Sequence, residues 1–259
     1  MGNTGARAPV VGWFDLVATD PVRGKDFYEH LLHWAFGPVD GTDDYQLVTA
    51  PDAGWGMGVL RAGDRDALAF SVVCADLDAA IPRLESAGAA VVEPARRTPA
   101  GDRHAVLTDV RGNRVGLLEP AADHPDLTRW TTTAAQNALA WFEIGTTDVA
   151  ATRTFYTESF GWTYERDEAA EGVTYYNILP AASDEPIGGL LDLSTMPGST
   201  DYAIPGLRVP DVSTLLERCE AAGGKRVLDP FPDGNGLVIG QFTDPVGNRW
   251  SAFATAGTA

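Results

Sequence analysis

Positive charge is scarce in this chain. Its 259 residues carry 19 Lys and Arg against 36 Asp and Glu, a formal charge of −17. All but two of the basic residues are arginine, the exceptions being Lys25 and Lys225. A surface this acidic repels phosphate backbones and anionic lipid, so nucleic acid and membrane surfaces are not expected partners. Cysteine is scarcer still: Cys74 and Cys219 lie in unlike contexts, no CxxC occurs, and no disulfide framework is implied. Both are read as buried thiols. Long apolar runs are missing too, and no window approaches the roughly 20 residues that span a bilayer. The stretch Met1–Pro9 has no apolar segment of the secretory kind. The expected location is the cytoplasm.

Against these absences stands a hydrophobic content of 44%, enough for a packed core. The length suits two domains of ordinary size, and internal repeats show how it divides. Trp13–Trp34 (WFDLVATDPVRGKDFYEHLLHW) aligns without a gap with Trp141–Trp162 (WFEIGTTDVAATRTFYTESFGW). Asp15 of the first matches Glu143 of the second, which keeps the charge. A second repeat aligns Asp76–Gly88 with Asp211–Gly223, and Asp109–Arg114 (DVRGNR) with Asp244–Arg249 (DPVGNR). Each half therefore holds one unit of each type.

The four units share a plan. An alternating, strand-like run ends in Asp: Trp13–Asp20, Ala69–Asp76, Trp141–Asp148 and Ile204–Asp211. That Asp, or a neighbour, can cap the helix that follows by accepting from its unpaired N–H groups. Apolar residues at helical spacing come next, such as Phe27, Leu31 and Trp34, or Leu215, Leu216 and Cys219. In units two and four the helix stops at Ala87-Gly88 and Ala222-Gly223, as a glycine C-cap requires. Further strand-like runs follow, and the DxxGN segments make tight turns. Each unit reads as βαβββ. The Pro-, Asp- and Thr-rich stretch 121–137 reads as the linker between domains at 8–120 and 138–255.

Four βαβββ units, an FY…W helix and a closing DP-x-GN-R turn resemble the vicinal oxygen chelate superfamily of glyoxalases, bleomycin-resistance proteins and extradiol dioxygenases. The resemblance covers about residues 10–255, and DPVGNRW at Asp244–Trp250 is its most specific piece. The chain looks like a tandem, two-domain glyoxalase-like protein. The resemblance implies an α+β fold of two domains, each a curled mixed sheet around a cavity with helices outside. Most enzymes of that family bind a divalent metal in the cavity. The resemblance places their first-strand ligand positions at Trp13, Ala69, Trp141 and Ile204, and the last-strand Glu at Gly116 and Ser251. None of the four first-strand residues can coordinate a metal, which needs three or four N, O or S donors. The four histidines, His30, His33, His104 and His124, do not rebuild such a set. Neither a metal nor another cofactor is expected.

The ligand position faces the cavity, so alternation along the strand places Trp13, Asp15 and Val17 there in the first half, and Trp141 with Glu143 in the second. An aromatic wall beside one carboxylate suits a flat organic ligand. The same parity puts Arg208 on the cavity face, within reach of an ion pair with Glu143. Asp15 shows no cationic partner in its own half. Unpaired and desolvated, its pKa would rise toward that of a general acid or base. His104 and Glu143 are the other acid/base candidates. Tyr175 and Tyr176 alternate, so only one lines the second cavity, and Tyr176 is the chosen candidate. Trp55 and Ser251 complete the ligand-contact set.

The preferred reading is a metal-independent protein that binds a small aromatic or polyketide-like molecule in a Trp- and acid-lined cavity, with isomerase, cyclase or lyase chemistry in specialised metabolism. The alternatives are sequestration of an antibiotic without catalysis, a metal-dependent glyoxalase or dioxygenase, and a scaffold with filled cavities. The expected state is a monomer, with a dimer left open, and the order in which the units pair is open too.

Overall fold

The computed structural model describes residues 9–39, 41–51, 53–122, 135–181 and 183–256. The first half runs β1 (Val10–Ala18), α1 (Pro21–Leu32), β2 (Ala35–Val39), β3 (Thr42–Thr49), β4 (Gly56–Ala62), β5 (Ala67–Val73), α2 (Leu77–Ser86), β6 (Ala90–Arg97), β7 (Arg103–Thr108) and β8 (Arg114–Glu119). The second repeats it as β9 (Ala138–Thr146), α3 (Val149–Phe160), β10 (Thr163–Arg166), β11 (Tyr175–Leu179), β12 (Gly188–Asp192), β13 (Tyr202–Arg208), α4 (Val212–Ala221), β14 (Lys225–Pro232), β15 (Leu237–Thr243) and β16 (Arg249–Thr255). Most of the expected linker, with His124, lies outside the described residues.

Each half is one open, eight-stranded mixed sheet, ordered β2-β3-β4-β1-β5-β8-β7-β6 and β10-β11-β12-β9-β13-β16-β15-β14. Units therefore join one with two and three with four, through the antiparallel pairs β1·β5 and β9·β13. Strands β1 and β9 begin three residues before the periodicity suggested. Val10, Val11, Ala138 and Leu139 are buried whichever way they point, so alternation is lost there.

Local chemistry sets the helix ends. Asp20, Asp76, Asp148 and Asp211 each cap a helix, accepting from the backbone N–H of Arg23, Ala79, Ala151 and Thr214. Helices α2 and α4 stop at Ala87 and Ala222, where Gly88 and Gly223 turn the chain at φ of 108° and 91°. In the DxxGN turns Asp109 Oδ1 accepts from the N–H of Arg111 and Asn113, and Asp244 Oδ1 from Val246 and Asn248.

The convex faces of the two sheets pack on each other in two cores. In one, Phe14, Tyr28 and Trp34 of the first half meet Trp250, Leu216 and Phe242 of the second. In the other, Phe70, Val72 and Leu84 meet Phe142, Tyr156 and Trp162. Tyr28 stacks on Trp34 with ring centroids 5.1 Å apart, and Tyr156 on Trp162 at 5.3 Å. Each fully buried aromatic contributes roughly 2–3 kcal/mol of burial. The indole N–H groups cross between halves, Trp34 to the Asn137 carbonyl and Trp162 to that of Pro9. This packing uses up the convex surfaces and leaves the two concave faces to bind.

Candidate functional site

The concave face of the first sheet is filled. Trp13, Tyr45, Val59 and Leu118 pack together there, all buried. Val17 is buried on the same face. Asp15, 3% exposed, is gripped by Arg61 of β4. The Arg61 Nε lies 2.9 and 3.1 Å from the two carboxylate oxygens, and its Nη2 lies 2.8 Å from Oδ2. The same Nη2 reaches Glu93 at 2.7 Å, and Glu93 takes a second bond of 2.7 Å from Arg114. The expectation that Asp15 lacks a cation is therefore overturned. Its partner comes from β4, which runs parallel beside β1 and pairs Asp15 with Val59. The repeat alignment did not extend to that strand. A lone Arg directly after the apolar run Met57–Leu60 was the available signal.

His104 lies on this face as well. Its Nε2 is 3.2 Å from Ser71 Oγ. Burial pushes its imidazole below the usual histidine range, with partial opposition from the Asp15 carboxylate. The metal-ligand positions have other occupants. Ser71 and Gly116 face each other across the parallel strands β5 and β8, and a Cβ on Gly116 would collide with Ser71 Oγ. In the second half the pair is reversed: Gly206 faces Ser251, whose Oγ would lie 3.0 Å from an added Cβ. Ser251 is thus buried packing between strands. Among the described residues no three His, Cys, Asp or Glu side chains converge on a metal position. The donors present do not fit the divalent ion that the fold family holds in this place.

The second concave face is different. Glu143 sits at its base, 5% exposed. It accepts from the hydroxyl of Tyr202, and from Gln241 Nε2 at 2.8 Å. Tyr175 also hydrogen-bonds it, and the Trp141 indole N–H points at Tyr175 Oη from 3.3 Å. Gln241 is oriented by Arg249, whose Nε lies 3.0 Å from its Oε1, which leaves its NH2 for Glu143. Arg249 also lies over the Tyr202 ring, 4.0 Å from its centroid. Burial raises the Glu143 pKa above the usual carboxylate range, against the pull of Tyr202, Arg249 and Gln241.

Three expectations need correction here. Arg208 does not pair with Glu143. It is on the concave face, but Glu143 lies opposite Ile204 and Arg208 opposite Ala138, which sets the two four residues apart along β13. Tyr176 points the other way, toward α3, where the Arg153 guanidinium lies 5.1 Å from its ring. Tyr175 is the cavity residue, through the alternation that made only one of them eligible. Trp55 packs half-buried against the convex core around Phe14 and Trp250. Tyr202, Gln241 and Arg249 were missed because nothing local in a sequence links three strands to one carboxylate.

Strand register shows how the two concave faces differ. Glu93, opposite Val106, corresponds to Leu228, opposite Gln241; His104, opposite Leu118, corresponds to Ile239, opposite Phe253. Arg61, opposite Val17, corresponds to Leu191, opposite Gly145. The ionic plug of the first half is replaced by apolar side chains, with Leu228 36% and Phe231 40% exposed. Trp141 and Tyr175 are half-buried at the rim. A separate cleft of about 80 Å³, between α1 and the Asp244 turn, is lined by Asp20, Tyr28 and Asn248. It is far below the roughly 300 Å³ where ligand pockets begin.

The profile of the Glyoxalase/Bleomycin resistance protein/Dioxygenase superfamily matches residues 138–252, and that of the Glyoxalase-like domain matches residues 13–118. The chain belongs to this superfamily. It is 33% identical over 132 residues to the anthracycline biosynthesis protein DnrV of Streptomyces peucetius, a match covering 46% of each chain. The chain thus spans about half the length of the curated relatives it matches. Among solved structures it resembles the Mn(II)-bound glyoxalase from Novosphingobium aromaticivorans, with a TM-score of 0.63, 16% identity, and coverage of 96% of this chain and 83% of that one. It also resembles a variant of homoprotocatechuate 2,3-dioxygenase from B. fuscum in complex with HPCA, with a TM-score of 0.65, 17% identity, and coverage of 99% and 74%. At these identities the likeness is one of fold. No helix among the described residues is long and apolar enough to cross a membrane.

Proposed function

We propose that the second half holds the working site of this glyoxalase-like protein. It binds a small, planar organic molecule of the aromatic or polyketide kind, and Glu143 gives and takes a proton without a metal. The observation that carries this is the buried Glu143 carboxyl, held by Tyr202 and Gln241 beneath the half-buried Trp141 and Tyr175. A carboxyl with a raised pKa is suited to general acid/base work near neutral pH. The aromatic rings give a flat ligand stacking area. Similarity to a protein of anthracycline biosynthesis supports the substrate class. Proton transfer at carbon fits isomerisation, cyclisation or elimination.

Asp15 and His104, the first candidates for acid/base roles, are assigned here to the structure of the first half. The test is turnover of polyketide-type substrates by the wild type and by Glu143→Gln, each with and without a chelator. Loss of turnover in the variant, with ligand binding kept and no chelator effect, supports the reading. Full turnover in the variant, or loss on chelation, sinks it. A sequestering role is the second reading, favoured by Glu143 Oε1 already accepting from both Tyr202 and Gln241. A ligand recovered chemically unchanged after long incubation would select it.

A further inference from the structure

Arg208, on the concave face of the second sheet, makes no hydrogen bond or ion pair among the described residues. Arg61, Arg103, Arg111, Arg114 and Arg226 all bond carboxylates. Arg208 bonds none among the described residues, in a chain where acids outnumber bases nearly two to one. Its Nε is buried and has no hydrogen-bond partner. Its guanidinium lies over the Phe253 ring, 5.4 Å from the centroid. An unsatisfied, partly desolvated guanidinium costs stability unless something else supplies the acceptor. The first half places Val73 and Leu118 at the corresponding register positions, both within the apolar cluster that fills its concave face. The charge at this position is thus particular to the second half.

Resting on the reading that the second concave face binds the ligand, we propose that Arg208 anchors an acidic oxygen of that ligand, a carboxylate or an ionised phenol, at the end of the groove away from Glu143. Arg208 lies four residues along β13 from Ile204, the residue opposite Glu143, a span of about 13 Å at roughly 3.3 Å per residue. Trp141 lies between them, opposite Gly206. A Cβ on Gly206 would come within 2.8 Å of the Trp141 Cβ, so glycine there makes room for the indole. A planar acid of several fused rings fits this layout: its ring faces lie against Trp141 and Phe253, its anionic oxygens meet the guanidinium fork, and its far carbonyl end reaches Glu143. Arginine suits the task because its planar donors match a carboxylate in two parallel bonds.

The test uses the full chain and two probes of the same shape, anthraquinone-2-carboxylate and anthraquinone-2-carboxamide, titrated by tryptophan quenching and calorimetry. The wild type binds the carboxylate at least tenfold more tightly, and the preference shrinks as salt is raised. Arg208→Met abolishes the preference and leaves carboxamide affinity within about twofold. Arg208→Lys, which keeps the charge and guards against a folding defect in the first variant, retains part of it. Glu143→Gln leaves the ratio unchanged. Equal binding of the two probes by the wild type, or a preference surviving in Arg208→Met, overturns the anchor while leaving the groove as the binding site. Binding of neither probe overturns both.

Discussion

The hydroxyl of Tyr28, in the first half, donates to the Asp244 carboxylate of the second half at 2.8 Å. The mirror contact runs from Tyr156 to Asp109 at 2.9 Å. Each aspartate also holds its own DxxGN turn together, so the turn that closes one half is the acceptor for the helix of the other. Burial raises both phenols far above the ordinary tyrosine range, which keeps them protonated as donors. The two contacts differ in one respect: Tyr28 also accepts from Trp250 Nε1 at 2.9 Å, while the corresponding last-strand position in the first half is Val115.

Tyr28→Phe is therefore expected to cost more than Tyr156→Phe: each aspartate Oδ2 keeps its bond from Asn248 or Asn113, but Tyr28→Phe also strands the Trp250 N–H. The Tyr28→Phe loss falls in the range of about 1–3 kcal/mol for an unsatisfied buried group, and the Tyr156→Phe loss near the roughly 1 kcal/mol of a single hydrogen bond. Urea unfolding of the two variants checks the order; equal losses would count against the account.

Asp15→Asn is expected to act on stability. Removing one partner of a buried ion pair costs about 3–5 kcal/mol, and here Glu93 still holds Arg61, which places the loss near the lower end. A thermal midpoint unchanged from the wild type would show that the pair contributes nothing.

Glu143 links stability to pH. Its raised pKa means that the native state holds the proton more tightly than the unfolded chain. That contribution is complete below the ordinary glutamate value of about 4.3 and is lost as pH rises through the native value. Glutamine is neutral throughout. The stability of Glu143→Gln relative to the wild type should therefore increase from pH 4.5 to pH 8, measured by denaturant titration at each pH.

For His104 the sign is opposite. Its lowered pKa means that the native state binds the proton less well than the unfolded chain. The stability it contributes is present above about pH 6.5 and lost as pH falls through the lower native value. His104→Gln, which keeps a hydrogen-bonding partner for Ser71, should lose less stability than the wild type between pH 7 and pH 5. Parallel curves would rule this out.

The fold could be read from the chain because its signals are local and repeated. The capping aspartates, the Ala-Gly helix ends and the DxxGN turns each act within a few residues, and the repeats aligned them. The site was legible only along single strands. Alternation placed Asp15, Glu143 and Arg208 on their correct face, and it made only one of Tyr175 and Tyr176 eligible. It could not supply Arg61, Tyr202 or Gln241, which reach their carboxylates from other strands distant in sequence, Gln241 from one three places away in the sheet. Charge complementarity between strands is a property of register, and register across β1·β4 or β9·β13 is set by the whole sheet.

The reversed serine and glycine at the strand pairs Ser71·Gly116 and Gly206·Ser251 constrain how one half could be remodelled into the other. The gap between those parallel strands takes one hydroxymethyl group. Introducing serine at Gly116 first drives it into Ser71, whereas replacing Ser71 by glycine first leaves a small void that the second change then fills. Grafting the groove of the second half onto the first is therefore a route with a required order of steps, and only one of the two single mutants along it should fold.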